Sequence, residues 1–434
     1  MLASRVNRQC SEMGSKPLRR NLPIRVLNWT LRAQERAGFV TRHLEIEHLV
    51  EAARRRTGLS EFGDETFHEP LRRLLESCEK EAGLNNIGKL ALIEDTLQLL
   101  TNRLEIERDR CKWPGIRKER VIAPLFITGL PRTGTTLLHS LLAQDDRTYQ
   151  APATWEIMFP SPPPFLSQRN RKRIKRAERN LAWFDLLVPE FRKIHPMSAH
   201  FPQECIAIMS HAFISDQFYT MFDVPAYESW REKQDMRPVY AYHLQFLQHL
   251  QYGGPLRRFV LKAPAHMFSI EALFAIYPDA QVIQTHREPV ESLPSLVSLM
   301  NILRTAFSDS VDPVAIGPVM TEFWKETLEN FLTARNRLRS NSFLDVKYRD
   351  LVCDPIGVVR ELYRNLGDHL SNDAERRMRS FLSKHPKGKY GSHFYTTASF
   401  GLDTATLDQH FDSYRERFGL KNTKLIVEER ASEG

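Results

Sequence analysis

The sequence has no apolar run approaching the roughly 18 residues that a membrane-spanning helix needs; its longest, 121–130 and 259–264, are strand-sized. A membrane-spanning protein is not expected. Cysteine is scarce: five in 434 residues, at Cys10, Cys78, Cys111, Cys205 and Cys353, odd in number, far apart and never in a CxxC pair. Neither a disulfide framework nor a zinc site is indicated, so no metal is expected and a reducing, cytoplasmic compartment is the natural home. No internal repeat is visible. The 42% hydrophobic and 26% charged residues exclude a disordered chain and suffice for a large core. Acid is in deficit: the formal charge is +8 and the pI near 9.2. Such a surface attracts anions, whether nucleotide phosphates, sulfates, nucleic acid or acidic lipid headgroups, and charge alone does not choose among them. The first 34 residues are Arg-rich with Glu12 their one acid, but they lack the apolar core and cleavage pattern of a signal peptide. They read as an ordinary basic N-terminus.

Along the chain, residues 27–110 are helical in pattern, as in the spacing of Leu90, Ile93, Leu97, Leu100 and Leu104. Lys112-Trp113-Pro114-Gly115 breaks that pattern, because proline and glycine disfavour continuing the helix. Beyond it come short β-branched or apolar runs at 121–128, 258–263, 280–286 and 342–348, each followed by a helical pattern. Strands alternating with helices imply a parallel sheet with ligands at the strands' carboxyl ends. The expected fold is α/β: a P-loop type parallel sheet flanked by helices over 119–434, preceded by a helical N-terminal region over 1–118. After the proline-rich break at 160–164, Arg169, Arg171, Lys172, Arg173, Lys175, Arg176 and Arg179 form a basic helical stretch, either a solvated face or an anion- or membrane-facing surface. Residues 403–419 read as one further amphipathic helix.

The run 121–128 leads directly into Gly129-Leu130-Pro131-Arg132-Thr133-Gly134-Thr135-Thr136 and then a helical pattern. Strand, glycine loop and helix are the order an anion cradle requires: glycines let backbone N–H groups turn inward, and the helix dipole adds to the attraction. The GxxxxG spacing is that of a nucleoside-triphosphate loop, but Thr135 stands where the phosphate-binding lysine belongs. This opposes a kinase or ATPase and leaves Arg132 as the fixed cation inside the loop.

Residues 129–136 resemble the phosphate loop of the sulfotransferases, in particular the bacterial-type and tyrosylprotein-like enzymes that use 3′-phosphoadenosine 5′-phosphosulfate (PAPS). The resemblance implies that Arg132, Thr133, Gly134, Thr135 and Thr136 hold the phosphosulfate end of that donor. It also implies that Arg287 and Ser295, an arginine followed eight residues later by a serine, hold its 3′-phosphate; that Lys262, in Lys262-Ala263-Pro264, faces the transferring group; and that Tyr348, in Val346-Lys347-Tyr348-Arg349-Asp350-Leu351, approaches the nucleotide. Lys387 and Gly388 resemble a basic loop near the 3′-phosphate. The reaction implied is in-line sulfuryl transfer onto a hydroxyl of a small molecule or lipid, with 3′,5′-adenosine bisphosphate as product and with Arg132 and Lys262 stabilising developing charge. The base is open between Glu156 and His266, with Glu204 and His200 as further candidates. A P-loop small-molecule kinase is the nearest rival. A non-catalytic nucleotide- or nucleic-acid-binding protein is the other, although no nucleic-acid module or aromatic–basic interleaving is present, so no nucleic-acid partner is expected. Peripheral contact with a membrane is compatible with the charge, and nothing in the sequence fixes acceptor or oligomeric state.

Overall fold

The computed structural model describes residues 44–386 and 397–420; Lys387 and Gly388 lie outside them. Five strands form the sheet: β1 (Leu125–Gly129), β2 (Tyr149–Gln150), β3 (Arg258–Lys262), β4 (Gln281–His286) and β5 (Phe343–Lys347). All pairs are parallel, in the order β2-β3-β1-β4-β5. The chain leaves β1 to one side and returns to the other, so β1 lies at the point where connections diverge, the place where open α/β sheets bind ligands. β1 starts later than the apolar run at 121 predicts, because Pro124 has no N–H to give a ladder and Ala123 has a positive φ of 42°. β2, two residues long, is too short to show a pattern.

The helices used below are α1 (Ile46–Thr57), α2 (His68–Lys80), α3 (Asn86–Lys112), α4 (Thr135–Leu142), α5 (Thr154–Met158), α6 (Asn170–Leu187), α7 (Arg237–Gln251), α8 (Ile270–Ile276), α9 (Pro289–Phe307), α10 (Pro313–Arg337), α11 (Tyr348–Cys353), α12 (Pro355–Leu366) and α13 (Asn372–Lys384). The helical pattern before residue 112 is thus divided, with Gly58 in the left-handed region ending α1 and the Asn85 side chain capping α3 by accepting the Gly88 N–H at 2.9 Å. These helices have no core of their own. Leu71, Leu100 and Leu104 belong to the same apolar cluster as Phe126 and Leu261 of the sheet, and the Asn85 N–H donates to the Phe307 carbonyl at the end of α9. A second cluster on the opposite face of the sheet joins Leu125, Ile127 and Val260 to Leu138, Leu141, Leu351 and Val359. Residues 403–419 are two helices rather than one, Thr404–His410 and Asp412–Phe418, interrupted at Phe411. Among the described residues no helix is long and apolar enough to cross a membrane.

Candidate active site

Every strand that carries a candidate residue delivers it at the same edge. β1 ends in Gly129, β3 in Lys262, β4 gives way to Arg287 and β5 to Tyr348. Register fixes their neighbours: Gly129 lies opposite Thr285, and Ile127 opposite Lys262.

Gly129 has a φ of +142°, and a Cβ there would lie 2.4 Å from the Thr285 carbonyl oxygen, so β1 can turn this close to β4 only without a side chain. The loop continues through Arg132 at φ +71° to Gly134 at φ +89°, where α4 begins. Left-handed residues on either side of Thr133 fold the backbone into a concavity at a helix N-terminus, a site that favours anions. Thr133 is fully buried; its hydroxyl donates to the Leu130 carbonyl at 2.6 Å and lies 2.5 Å from that of Thr285. An arginine in the left-handed region costs on the order of 1 kcal/mol or more. Here tertiary bonds hold it: Arg132 donates from Nε to Ser295 Oγ at 3.2 Å and from Nη1 to the Ile194 carbonyl at 3.1 Å, while its own carbonyl accepts from Arg287 Nη1 at 3.0 Å.

The loop and the Arg287/Ser295 segment, the two expected anion-binding elements, therefore form one surface. Ser295 comes from the second turn of α9, and Arg287 from the turn before it. The Arg287 guanidinium lies 4.4 Å from the centre of the Tyr348 ring, and that ring in turn packs so close to the loop that a Cβ on Gly134 would be 3.0 Å from Tyr348 Cδ2. Glu291 accepts from Arg287 Nε at 2.9 Å.

Lys262 enters from the other side. Its side chain is 2% exposed, Nζ donates to Thr136 Oγ1 at 3.3 Å, and it forms an ion pair with Glu204. An amine from the neighbouring strand thus lies beside the loop, next to position 135 where the lysine is absent. His195 Nε2 lies 4.0 Å from the same Glu204 carboxylate. Burial alone would raise the Glu204 pKa, but the charge of Lys262, joined in acid by that of His195, outweighs it and holds the carboxyl below the usual range. Burial pushes His195 down to about 4 against the pull of Glu204, so its ring is neutral at pH 7.

A profile of the sulfotransferase family matches residues 124–371, more than half of the chain and all of the elements just described. The chain belongs to that family. This sulfotransferase is 28% identical over 325 residues to the omega-hydroxy-beta-dihydromenaquinone-9 sulfotransferase Stf3 of Mycobacterium bovis and of Mycobacterium tuberculosis, covering 69% of this chain and 76% of each relative. The crystal structure of sulfotransferase STF1 from Mycobacterium tuberculosis H37Rv superposes with a TM-score of 0.75 at 31% identity, over 85% of this chain and 98% of that one. That of STF9 from Mycobacterium avium gives 0.77 at 26% identity, over 87% and 98%.

The candidate bases of the sulfotransferase fall in different surroundings. Glu156 is the third residue of α5, and its carboxylate turns back to accept the Ala153 N–H at 2.8 Å. Burial raises its pKa to about 7, opposed by that hydrogen bond and by Arg173, the cation beside it. His266 has no exposed surface; its Nδ1 is 2.9 Å from the Tyr240 hydroxyl and its ring meets Phe126 edge-on at 4.9 Å. The short 3₁₀ helix Pro264–Ser269 carries it back into the core, and burial pushes its pKa well below the ordinary value. His200 is exposed. Glu204 is the candidate carboxylate that meets Lys262. The segment before it is fixed by the Gln203 N–H donating to the Pro152 carbonyl and the Thr154 N–H donating to that of Phe201, each at 2.9 Å. Thr285 and His195 were not assigned from sequence; Thr285 meets Thr133 across 152 residues, and His195, nine residues before Glu204, lies in no motif that marks it.

Proposed function

We propose that this sulfotransferase takes the sulfuryl group of PAPS and places it on the hydroxyl of an apolar, lipid-like acceptor, with Glu204 as the base. The observation that carries the reading is the continuous hydrogen-bonded path Ser295–Arg132–Arg287, which ties the phosphate loop to a second cationic pocket. A nucleotide with an anionic group at each end is the ligand such a surface fits, and the glycines at 129 and 134 leave room for its backbone cradle. In this reading the loop N–H groups, Arg132, Thr133, Gly134, Thr135 and Thr136 hold the phosphosulfate, Arg287 and Ser295 the 3′-phosphate, and the Tyr348 ring braces Arg287. The donor, when bound, supplies the sulfuryl group and departs as 3′,5′-adenosine bisphosphate.

Sulfuryl transfer, like phosphoryl transfer, proceeds through a loose in-line transition state, so fixed positive charge and positioning do most of the work. Lys262 and Arg132 bring that charge to the leaving oxygen. Glu204, ionised and already beside Lys262, takes the acceptor's proton. Glu156 is less suited, since its carboxylate caps its own helix and its charged neighbour is Arg173. The acceptor side is apolar: Phe184 meets Phe191 edge-on at 5.3 Å, and Phe191 lies 5.6 Å from the neutral His195 ring. Stf3, named for a hydroxylated dihydromenaquinone, supports a lipid with a terminal hydroxyl. The test is transfer from labelled PAPS to a panel of hydroxylated lipids and phenols. Arg132→Ala is expected to lose both 3′,5′-adenosine bisphosphate binding and turnover. Glu204→Gln is expected to keep binding and lose turnover by about 10²-fold or more; normal turnover in Glu204→Gln would remove it as the base.

A further inference from the structure

We propose that the outer face of α6, with the turn that precedes it, docks on an anionic lipid bilayer and presents the acceptor site to it. The proposal rests on the lipid-acceptor reading above and adds the surface through which such an acceptor would arrive.

α6 has two faces. Ile174, Ala177 and Leu181 pack inward around Trp155, Phe159 and Ala199. Lys172, Lys175, Arg179, Trp183 and Leu186 recur at intervals of three and four, so they form one stripe about 20 Å long on the opposite side. All five are exposed, Trp183 at 59% and Leu186 at 46%. Phe165 and Leu166, in the turn before the helix, are also exposed, and Leu166 shares a hollow of about 580 Å³ with Arg169 and Lys172. The stripe thus runs from apolar, through cationic, to apolar.

The charges on it are not neutralised by ion pairs with the described residues. Of the seven cations between Arg169 and Arg179, Arg173 donates to the carbonyls of Phe159, Pro160 and Pro162, and Arg176 donates to Gln98 and covers the Phe159 ring. Arg171, Lys172, Lys175 and Arg179 make no ion pair with any described residue, and the one acid among them is Glu178. Other exposed arginines are paired, as Arg360 is with Glu375 and Arg72 with Glu69, or are unpaired like Arg147, Arg339 and Arg364; what sets Lys172, Lys175 and Arg179 apart is that they share one helix face. A row of unpaired cations flanked by an exposed tryptophan and leucines matches a headgroup layer, which meets the cations with phosphates and takes the indole at the boundary with the acyl chains. An acidic protein surface would answer the charges and leave the apolar ends exposed.

Position supports the same occupant. Phe184, between Trp183 and Leu186 in sequence but on the inner face, begins the path through Phe191 and His195 to Glu204. An acceptor leaving the bilayer at the apolar end of the stripe would reach the base along that wall.

The experiment is co-sedimentation of the full chain, without donor, with vesicles of phosphatidylcholine alone and of phosphatidylcholine with phosphatidylglycerol. Binding is expected to the second and to weaken with salt. A variant combining Lys172→Ala, Lys175→Ala and Arg179→Ala should lose about 100-fold in partitioning, roughly fivefold per charge. Trp183→Ala with Leu186→Ala should also lower it. Both variants should sulfate a water-soluble hydroxylated acceptor as the parent does, but lose turnover on a long-chain acceptor held in the anionic vesicles. Parent-like vesicle binding by the triple variant, equal binding to both vesicle types, or a stable dimer that buries α6 would overturn the proposal. Charge-dependent vesicle binding without transfer to any acceptor would instead support the docking surface and overturn the reading of the active site.

Discussion

Replacing Lys262 by methionine keeps most of the side chain's volume and removes its charge. The structure makes the consequence specific, because Lys262 is 2% and Glu204 15% exposed and each is the other's ion-pair partner. Removing one member of a buried pair leaves the other charge uncompensated, at a cost of about 3–5 kcal/mol. For a chain of this size that is a fall in Tm on the order of 3–6 °C. The fall should depend on pH. In the parent, Lys262 holds the folded pKa of Glu204 below its unfolded value, so the pair contributes fully above the ordinary carboxylate range and fades as pH drops through the lowered value. In Lys262→Met, burial becomes the main influence and carries the folded pKa above the unfolded one. That variant therefore loses stability as pH rises through the carboxylate range, and the gap to the parent is smallest in acid and full at neutral pH. Adding Glu204→Gln removes the buried charge and should restore most of the gap, a coupling of about 2–3 kcal/mol. Calorimetric melting of the four proteins of this cycle over the acid-to-neutral range measures it. Activity should not return with stability in the double variant. A gap that stays constant with pH, or additive single effects, would show that Glu204 and Lys262 do not share a buried contact in the folded enzyme.

Three further outcomes follow from the site. Ser295→Ala removes the hydroxyl that meets Arg132 and should weaken 3′,5′-adenosine bisphosphate binding about tenfold by titration calorimetry, the worth of one charge-assisted hydrogen bond; Tyr348→Phe, which keeps the ring under Arg287, should bind normally, whereas Tyr348→Ala should not. Glu156 has a folded pKa of about 7, above its unfolded value, so it withdraws stability as pH rises from the carboxylate range to about 7. Glu156→Gln should accordingly match the parent near pH 4 and exceed it by on the order of 2–3 kcal/mol above pH 7, with transfer retained; loss of transfer with donor binding intact would make Glu156 the base. Gly129→Ala places a methyl group 2.4 Å from the Thr285 carbonyl oxygen at a φ of +142°, and should cost about 2 kcal/mol or more of stability together with nucleotide binding.

What was legible in the sequence was what is local. β3 read clearly because Phe259-Val260-Leu261 is the continuous apolar run of a strand buried on both faces of a parallel sheet, and the phosphate loop read clearly because strand, glycine turn and helix follow one another directly. The start of β1 was not legible, since Val121 and Ile122 are as apolar as the strand, while Pro124 and the positive φ of Ala123 exclude them from the ladder. The long N-terminal helical pattern concealed its divisions for a similar reason: periodicity continues across Gly58 and the cap at Asn85 without recording that the axis changes.

The site residues divide along the same line. Arg132, Lys262, Arg287 and Tyr348 are each within three residues of a strand's end, so a reading of strand ends finds them one at a time. Their interactions are long-range: Thr133 meets Thr285 across 152 residues, and Lys262 meets Glu204 across 58. The family resemblance therefore ranked Glu156 and His266, which follow the loop and the lysine at modest distances, ahead of Glu204. Their surroundings in the fold are the ground on which Glu204 is proposed ahead of them. The short 3₁₀ helix Pro264–Ser269 commits His266 to the core, the first turn of α5 commits the Glu156 carboxylate to its own helix cap, and the pairing of 152–154 with 201–203 brings Glu204 to the end of β3. Because Lys262 at the end of β3 reaches Thr136 of the loop at 3.3 Å, a carboxylate held beside that cation would, in the function proposed above, meet both needs of the transfer step, charge for the leaving oxygen and a proton acceptor for the incoming hydroxyl, from one buried pair.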